Sequence, residues 1–357
     1  MAHTSSFLDY INKLTNDKRK AEPPKLITKQ SPRPSGLNIH RAEIISVARE
    51  YDVVGWRLAW MLERIESGYI EVLNPQESRS LLSSATSRLS LSPKDVRCIV
   101  WWSKDFANWL EHYKADDWRL KQYDLHLFNF TLNPECNDLE PNIRTSLDGR
   151  LKQLRYICKT PSLGPDCVNL RIGPILQYGK AGEINAQTNM KNVKLILEYA
   201  YDLGIRDVTF SFCSFDDKIK ERMKDRNLEL IPLNLDDKKW TMYELSSMVN
   251  GIAKKSVDQQ SIQLCACCEE SGVYDYPAVR HASCVDAHKI NQIFSARQKP
   301  ALTKVSSKKE LLRPGCNCNY SVDLSDCFAA QECDHGCLYC LWKPKILDID
   351  GFVNIDF

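Results

Sequence analysis

The chain has almost no net charge and no apolar run long enough to cross a bilayer. Lys and Arg number 48 against 46 Asp and Glu, a formal charge of +2. That balance supplies no global pull toward nucleic acid or a membrane surface, and leaves only a local basic groove open. A bilayer span needs about 18 consecutive apolar residues, and the sequence has none. The first residues, Met1 to Tyr10, are polar and lack the apolar centre of a secretion signal. These absences predict a cytoplasmic protein with no membrane partner. No short repeat of fixed period is present either.

What stands out instead is cysteine. There are 15 cysteines, and ten of them lie between Cys265 and Cys340. In a reducing compartment clustered thiols hold metal more often than they form disulfides. The other five (Cys98, Cys136, Cys158, Cys167 and Cys213) are scattered through apolar runs and read as small buried hydrophobes.

The densest cluster is Cys333-Asp334-His335-Gly336-Cys337-Leu338-Tyr339-Cys340. A C-x3-C-x2-C run can sit on one tight loop and hold three corners of a 4Fe-4S cluster, leaving the fourth iron open to a ligand. Zinc sites prefer pairs at C-x2-4-C, so the triplet points to iron–sulfur ahead of zinc. Upstream come Cys265-Ala266-Cys267-Cys268 at a predicted strand end, Cys284 at a predicted helix start, Cys316-Asn317-Cys318, and Cys327. A strand end, a helix start and a C-x-C loop can together supply four thiolates, a second centre of iron–sulfur or structural zinc type. The plainer alternative is one structural zinc group pinning the C-terminal segment to the body. His335 is placed to orient the triplet loop or touch a ligand there. His281 and His288 flank Cys284, and His288 reads as an ordinary helix residue.

With 357 residues and 41.0 kDa, the chain can form one large domain or two modest ones. Residues 1–38 are polar and proline-bearing, a flexible arm. Within 39–295, β-branched apolar runs recur at Ile44–Val47, Val96–Trp102, Leu125–Leu132, Val168–Leu176, Val208–Cys213 and Ile262–Cys265. Amphipathic stretches such as Val54–Ile65, Lys191–Leu203, Asp216–Asp225 and Met242–Ala253 alternate with them. This alternation signals a parallel sheet covered by helices. It predicts an α/β fold: a complete or partial (β/α) TIM-like barrel, with a doubly wound open sheet as the alternative. Residues 296–357 are a polar connector, the C-terminal Cys-rich iron–sulfur segment and a short apolar tail.

In a barrel, groups at the carboxyl ends of strands face one cavity. Arg49 and Asp52 follow the first strand; Ser103, Lys104 and Asp105 follow the second; Thr131 and Glu140 follow the third; Arg171 lies within the fourth. Lys104 and Arg49 can bind a carboxylate or phosphate, and Asp52 or Glu140 can act as acid or base. The alternative is internal salt bridges and caps, with Asp105 as an N-cap. Trp101 and Trp102 read as core.

Several stretches carry a family resemblance. Ile44-Ile45-Ser46-Val47-Ala48-Arg49-Glu50-Tyr51-Asp52, Ser67-Gly68-Tyr69-Ile70-Glu71-Val72-Leu73-Asn74-Pro75, Val100-Trp101-Trp102-Ser103-Lys104-Asp105, and Phe130-Thr131-Leu132 with Leu139-Glu140-Pro141-Asn142 keep its order. So do Cys284-Val285-Asp286-Ala287, Gly315-Cys316-Asn317-Cys318, Ser321-Val322-Asp323 and the final triplet. The chain resembles the DUF1848 family, uncharacterised bacterial proteins with a TIM-barrel-like body and a cysteine ending similar to that of radical S-adenosylmethionine (SAM) enzymes. The likeness spans roughly Ile44 to Pro344. Arg171-Ile172-Gly173-Pro174 departs from the family's Arg-Tyr-Asp-Pro, losing a tyrosine and a carboxylate. The triplet also comes last, where radical SAM enzymes place it after the first strand, and no glycine-glycine-acid motif follows a second strand.

The resemblance implies a radical-SAM-like enzyme. A 4Fe-4S cluster on the triplet would take SAM beside Tyr339, and reduction by a flavodoxin- or ferredoxin-type donor would start hydrogen abstraction from a small-molecule or nucleic-acid substrate. Two alternatives remain: an iron–sulfur enzyme using its open iron as a Lewis acid, and a cluster- or zinc-stabilised binding module. For the latter, Lys18-Arg19-Lys20 in the arm would track phosphates.

Overall fold

The computed structural model describes residues 39–73, 86–134, 138–183, 186–255, 260–303, 316–328, 331–342 and 344. The arm, the apolar tail, most of the polar connector and Cys136 lie outside them.

Eight strands form one parallel sheet: β1 (Ile44–Val47), β2 (Cys98–Ser103), β3 (Leu125–Thr131), β4 (Val168–Ile175), β5 (Asp207–Phe212), β6 (Gln263–Ala266), β7 (Val279–His281) and β8 (Val322–Asp323). Their spatial order is β8-β1-β2-β3-β4-β5-β6-β7. From β1 to β7 each strand pairs with its successor, so the winding never reverses and the sheet is not doubly wound. It is also not a closed barrel: β7 and β8 are both edges, and no ladder joins them among the described residues. The reason is length, since these two strands have three and two residues.

The gap between the two edges is bridged by the C-x-C segment. Asn319 N–H donates to Val285 O at 2.8 Å, Ala287 N–H donates to Asn319 Oδ1 at 2.8 Å, and Ser283 Oγ–H donates to Asn317 O at 3.2 Å. The architecture is thus α/β with an open, singly wound sheet whose seam carries cysteines.

The crossovers are helical: α1 (Leu58–Ser67), α2 (Ala107–Lys114), α3 (Leu147–Lys159), α4 (Val193–Asp202), α5 (Asp217–Lys224), α6 (Leu235–Lys254) and α7 (Ala287–Ala296). Caps fix those that matter for the site. Ser146 accepts from Gly149 N–H at 3.1 Å and starts α3. Asn234 and Asp237 form a reciprocal capping box on α6. Asp286 accepts from His288 and Lys289 N–H and starts α7, two residues beyond Cys284. The predicted cap at Asp105 is shifted: α2 begins at Ala107, whose N–H donates to Asp105 Oδ1 at 3.0 Å.

Between sheet and helices lies a continuous apolar core, with Trp101, Trp109, Phe106 and Phe128 fully buried. Trp101 belongs to this core, as expected. A second, smaller core holds Leu139, Leu176, Leu228, Leu230, Ile219 and Met223 against Cys337, Leu338 and Tyr339. It packs the cysteine triplet onto α5 and onto a small antiparallel sheet (Leu228–Ile231, Gln177–Lys180, Gln187–Thr188).

Candidate functional site

The polar residues at the strand ends and the cysteines are not two separate features. Lys104 Nζ, just past β2, donates to Glu140 Oε1 at 2.9 Å and to Tyr339 Oη at 2.8 Å. Tyr339 in turn donates to Glu140. Asn133 Nδ2 joins them, 2.8 Å from Glu140 and 3.1 Å from Tyr339. Lys104 and Glu140 are 14% and 5% exposed, so the pair is held away from water. Burial works against both charges. Glu140 is nonetheless pulled down to about 2 by Lys104 and Arg150, and Lys104 is raised by Glu140 and Cys337.

Arg150 on α3 is 2% exposed. Its Nη2 reaches Asn133 O, at 3.4 Å, and its Nε and Nη1 have no hydrogen-bond partner among the described residues. Two buried cations therefore face one carboxylate, and Cys337 is the next acidic group acting on Lys104.

His335 completes the dock on the other side. Its Nε2 lies 2.5 Å from Asp52 Oδ2, which also accepts from Ser103 Oγ–H at 2.8 Å. Burial raises the Asp52 carboxyl, while His335, Gly55 N–H and Ser103 bring it below its ordinary value. The segment Leu139-Glu140-Pro141-Asn142 then serves as a docking strip. Leu338 N–H donates to Leu139 O at 2.9 Å, and Asn142 Nδ2 donates to Asp334 O at 2.8 Å. Arg222 on α5 clamps the far end, donating to Leu338 O at 3.1 Å and to Cys340 O.

The loop so held turns at Gly336, whose φ of 62° lies in the left-handed region that glycine enters freely. Its three sulfurs sit in different surroundings. The backbone N–H groups of Asp52 and His335 work to lower the Cys333 thiol, and that of Trp342 to lower Cys340. Cys337 is buried beside Lys104 and Glu140. Burial pushes all three thiols up, Cys333 to about 12.

A second group gathers at the seam. Cys267 Sγ lies 3.7 Å from Cys284 Sγ and 3.9 Å from Cys268 Sγ. Cys284 N–H donates to Cys318 Sγ at 3.2 Å. Cys316 acts electrostatically on both Cys268 and Cys318. Hydrogen bonds from neighbouring thiols pull Cys267 and Cys316 down and push Cys268 and Cys284 up.

Two arginines act on this five-cysteine group, Arg171 on Cys284 and Cys267 and Arg49 on Cys316; both lie over the Trp102 ring, 5.5 Å from its centroid for Arg49 and 5.6 Å for Arg171. Arg171 Nη1 donates to Cys284 Sγ at 2.6 Å. Burial disfavours its charge, yet Cys284 and Cys267 hold it fully protonated. Arg49 is tied to Asp323 at 3.0 Å and to Ser321 Oγ at 3.1 Å, which explains why the Ser-x-Asp pattern accompanies the first strand.

Four of the cysteines and histidines considered as ligands do not join either group among the described residues. Cys265 lies inside β6, one layer deeper, its thiol directed to Gln263 O at 3.9 Å. Cys327 donates to Glu71 O at 3.8 Å. His281 stacks on Tyr274, with ring centroids 3.6 Å apart, and His288 contacts Gln292. Lys104, Asp52 and Glu140, read as acid, base or anion binders, position the triplet; Arg49 and Arg171 belong with the seam cysteines. Asn133, Arg150 and Arg222 were missed, because only folding brings them to the loop. Among the described residues no group of three or more His, Cys, Asp or Glu side chains is arranged around one point as a ready metal site.

At Gly173 the family departure has a local cause. Its φ is 130°, and a Cβ there would lie 2.9 Å from Ser211 O, so a side chain would collide with β5. Gly173 N–H donates to Asn133 Oδ1 at 2.7 Å and thereby orients Asn133 toward Glu140 and Tyr339.

Neither a curated protein nor a solved structure matches the chain. A family profile described as a domain of unknown function matches residues 44–341, most of the chain, and the motifs it spans are those that assemble the two cysteine groups: the chain belongs to the DUF1848 family.

Proposed function

We propose that this protein is an iron–sulfur enzyme of radical-SAM-like type, with its principal centre on Cys333, Cys337 and Cys340. The observation that supports it is the charge balance of the triplet's dock. Buried Lys104 and Arg150 stand against one carboxylate, Glu140, and Lys104 partly offsets the burial that opposes a thiolate at the adjacent Cys337. Backbone N–H groups directed at Cys333 and Cys340 stabilise thiolate sulfur in the same way. His335 Nδ1 is buried without a partner and is free to meet a group bound at the loop.

A 4Fe-4S cluster on these thiolates would supply an iron open to a ligand and, with SAM and an electron donor, a means of hydrogen abstraction. The chain's own part is mechanical and electrostatic. Tyr339, Lys104, Glu140 and Asn133 fix the loop's depth, His335 and Asp52 fix its orientation, and the small apolar core excludes water.

Anaerobically purified protein should contain iron and acid-labile sulfide, show an EPR signal on reduction that changes with SAM, and release 5′-deoxyadenosine. Iron and sulfide without any response to SAM would leave the Lewis-acid reading. Zinc alone would replace the proposal with a zinc-stabilised binding module.

The seam cysteines favour a second reading for themselves. A tetrahedral zinc with bonds of about 2.3 Å places its sulfurs about 3.8 Å apart. The spacings at Cys267, 3.7 and 3.9 Å, match that edge. On this reading Cys267, Cys268 and Cys284, with Cys316 or Cys318 drawn in on binding, would hold one zinc or iron ion, and Arg171 would offset their charge.

A further inference from the structure

Two neighbouring strands bring two of the seam thiols together. β6 and β7 run in parallel register, with Ala266 beside His281. The ladder is extended by Ala282 N–H, which donates to Ala266 O at 2.8 Å. Cys267 follows Ala266 directly, and Cys284 comes just after Ala282 on the other segment. The paired backbone therefore places both cysteines, and their sulfurs stand 3.7 Å apart. Both are free thiols.

A disulfide bond is about 2.05 Å long, so each sulfur need move inward by only roughly 0.8 Å. Small side-chain torsions supply that movement and leave the ladder intact. Cys267 has a second sulfur neighbour, Cys268, at 3.9 Å. Those two are adjacent in sequence, and a bond between them would close a small ring through their shared planar peptide, which opposes it. Cys284 is thus the better partner.

The two thiols also differ in access. Cys267 is half-buried and Cys284 is buried, so a small oxidant meets Cys267 first. Cys284 is held for the second step. Arg171 Nη1 donates to its sulfur at 2.6 Å, and a neighbouring guanidinium favours the nucleophilic thiolate.

We propose that Cys267 and Cys284 are a redox-reactive pair that hydrogen peroxide closes into a disulfide. The Cys267 sulfur attacks one peroxide oxygen, the O–O bond breaks, and a sulfenic acid and one water result. The Cys284 sulfur then attacks the sulfenic sulfur, the S–S bond forms, the S–O bond breaks, and a second water leaves. The two thiols lose two electrons and two protons, and the peroxide is reduced to two waters.

Closure takes two sulfurs from the group of five, one of them the sulfur that Arg171 contacts. Too few thiolates then remain for a four-sulfur centre. That bound metal and the disulfide exclude each other rests on the metal reading of the seam; the cross-link itself does not.

The test uses the full chain, purified anaerobically, freed of metal with a chelator and treated with one equivalent of hydrogen peroxide. A parallel sample is loaded with zinc first, and its zinc content is measured. Peptide mapping by mass spectrometry without reductant should find Cys267 joined to Cys284, and dithiothreitol should release the two peptides. Cys268→Ser should give the same cross-link. Zinc taken up beforehand should slow its formation by about ten-fold or more.

No disulfide at the seam, or one joining any other two seam cysteines in its place, would overturn the proposal. A cross-link that forms equally fast in a sample that has taken up zinc would uphold the reactive pair and refute the metal reading of the seam, so the two fail independently.

Discussion

Asp52 and His335 meet at 2.5 Å across 283 residues of sequence. Through this contact the loop carrying the triplet is fixed to the end of the first strand of the sheet. Breaking a buried pair by removing one partner costs about 3–5 kcal/mol, because the other is left without compensation. Asp52→Ala should lower stability by that order in chemical denaturation. On the iron–sulfur proposal it should also lower the iron bound per chain, because it frees the loop that carries Cys333, Cys337 and Cys340. Asp52→Asn should lose less stability, since its amide oxygen keeps an acceptor for Gly55 N–H.

Tyr339 and Lys104 offer a graded comparison. Tyr339→Phe removes the hydroxyl between Lys104, Asn133 and Glu140 but leaves the ion pair intact. The expected loss is about 1–2 kcal/mol. Lys104→Met leaves Glu140 with Arg150 alone and should cost about 3–5 kcal/mol. The double substitution Lys104→Met with Glu140→Leu should recover part of that loss, and a double-mutant cycle measures the recovery.

The two cysteine groups should lose metal separately. Cys337→Ala should remove the triplet's iron and leave the seam's metal in place. Cys284→Ala should do the reverse, and Arg171→Met should weaken the seam's metal without affecting the triplet, because Arg171 faces Cys284 and Cys267. Metal analysis of the three purified variants checks this. Because burial holds the triplet thiols protonated, loading should release protons measurable in weakly buffered solution.

His126 predicts the acid limb of stability. Its Nδ1 accepts from Trp101 Nε1–H at 3.0 Å, and its Nε2–H donates to Leu120 O at 2.8 Å, so the neutral ring satisfies both contacts. Burial lowers its pKa to about 4, below the ordinary 6.5 of the unfolded chain. The unfolded state then binds the extra proton first. The contribution is present above pH 6.5 and is lost as pH falls toward 4. Between pH 7 and 5 His126 should account for about 2 kcal/mol of lost stability. His126→Gln should flatten that segment of the profile even if its stability at pH 7 is lower. Unchanged slopes in the two denaturation series would exclude the assignment.

Six of the eight parallel strands were legible because each is a continuous apolar, β-branched run between amphipathic helices. Closure was not legible. It depends on β7 and β8, which are too short to leave a pattern and whose edges are bridged by a cysteine segment. The chemistry-bearing residue types were legible too, but their partners were not. Lys104 and Glu140 read as site residues; that Tyr339 fills the space between them is a fact of tertiary packing. Alternation along a strand places Cys265 and Cys267 on one face, yet only Cys267 lies at the strand end where other thiols can reach it. Arg150, Arg222 and Asn133 carried no signal, since a lone arginine or asparagine on a helix or loop looks the same whether it is buried or solvated.

The seam has a consequence in time. β1 is an interior strand only because β8, some 277 residues later, pairs along its free edge, with Ser46 Oγ–H donating to Asp323 Oδ2 at 2.6 Å. Contacts so distant in sequence form late and slow folding. During synthesis the first strand therefore waits, one edge uncovered, until some 277 further residues have been made. Both sets of thiols are completed by the segment that carries β8 and the triplet, so any ligand they share meets a sheet whose first seven strands have already been made.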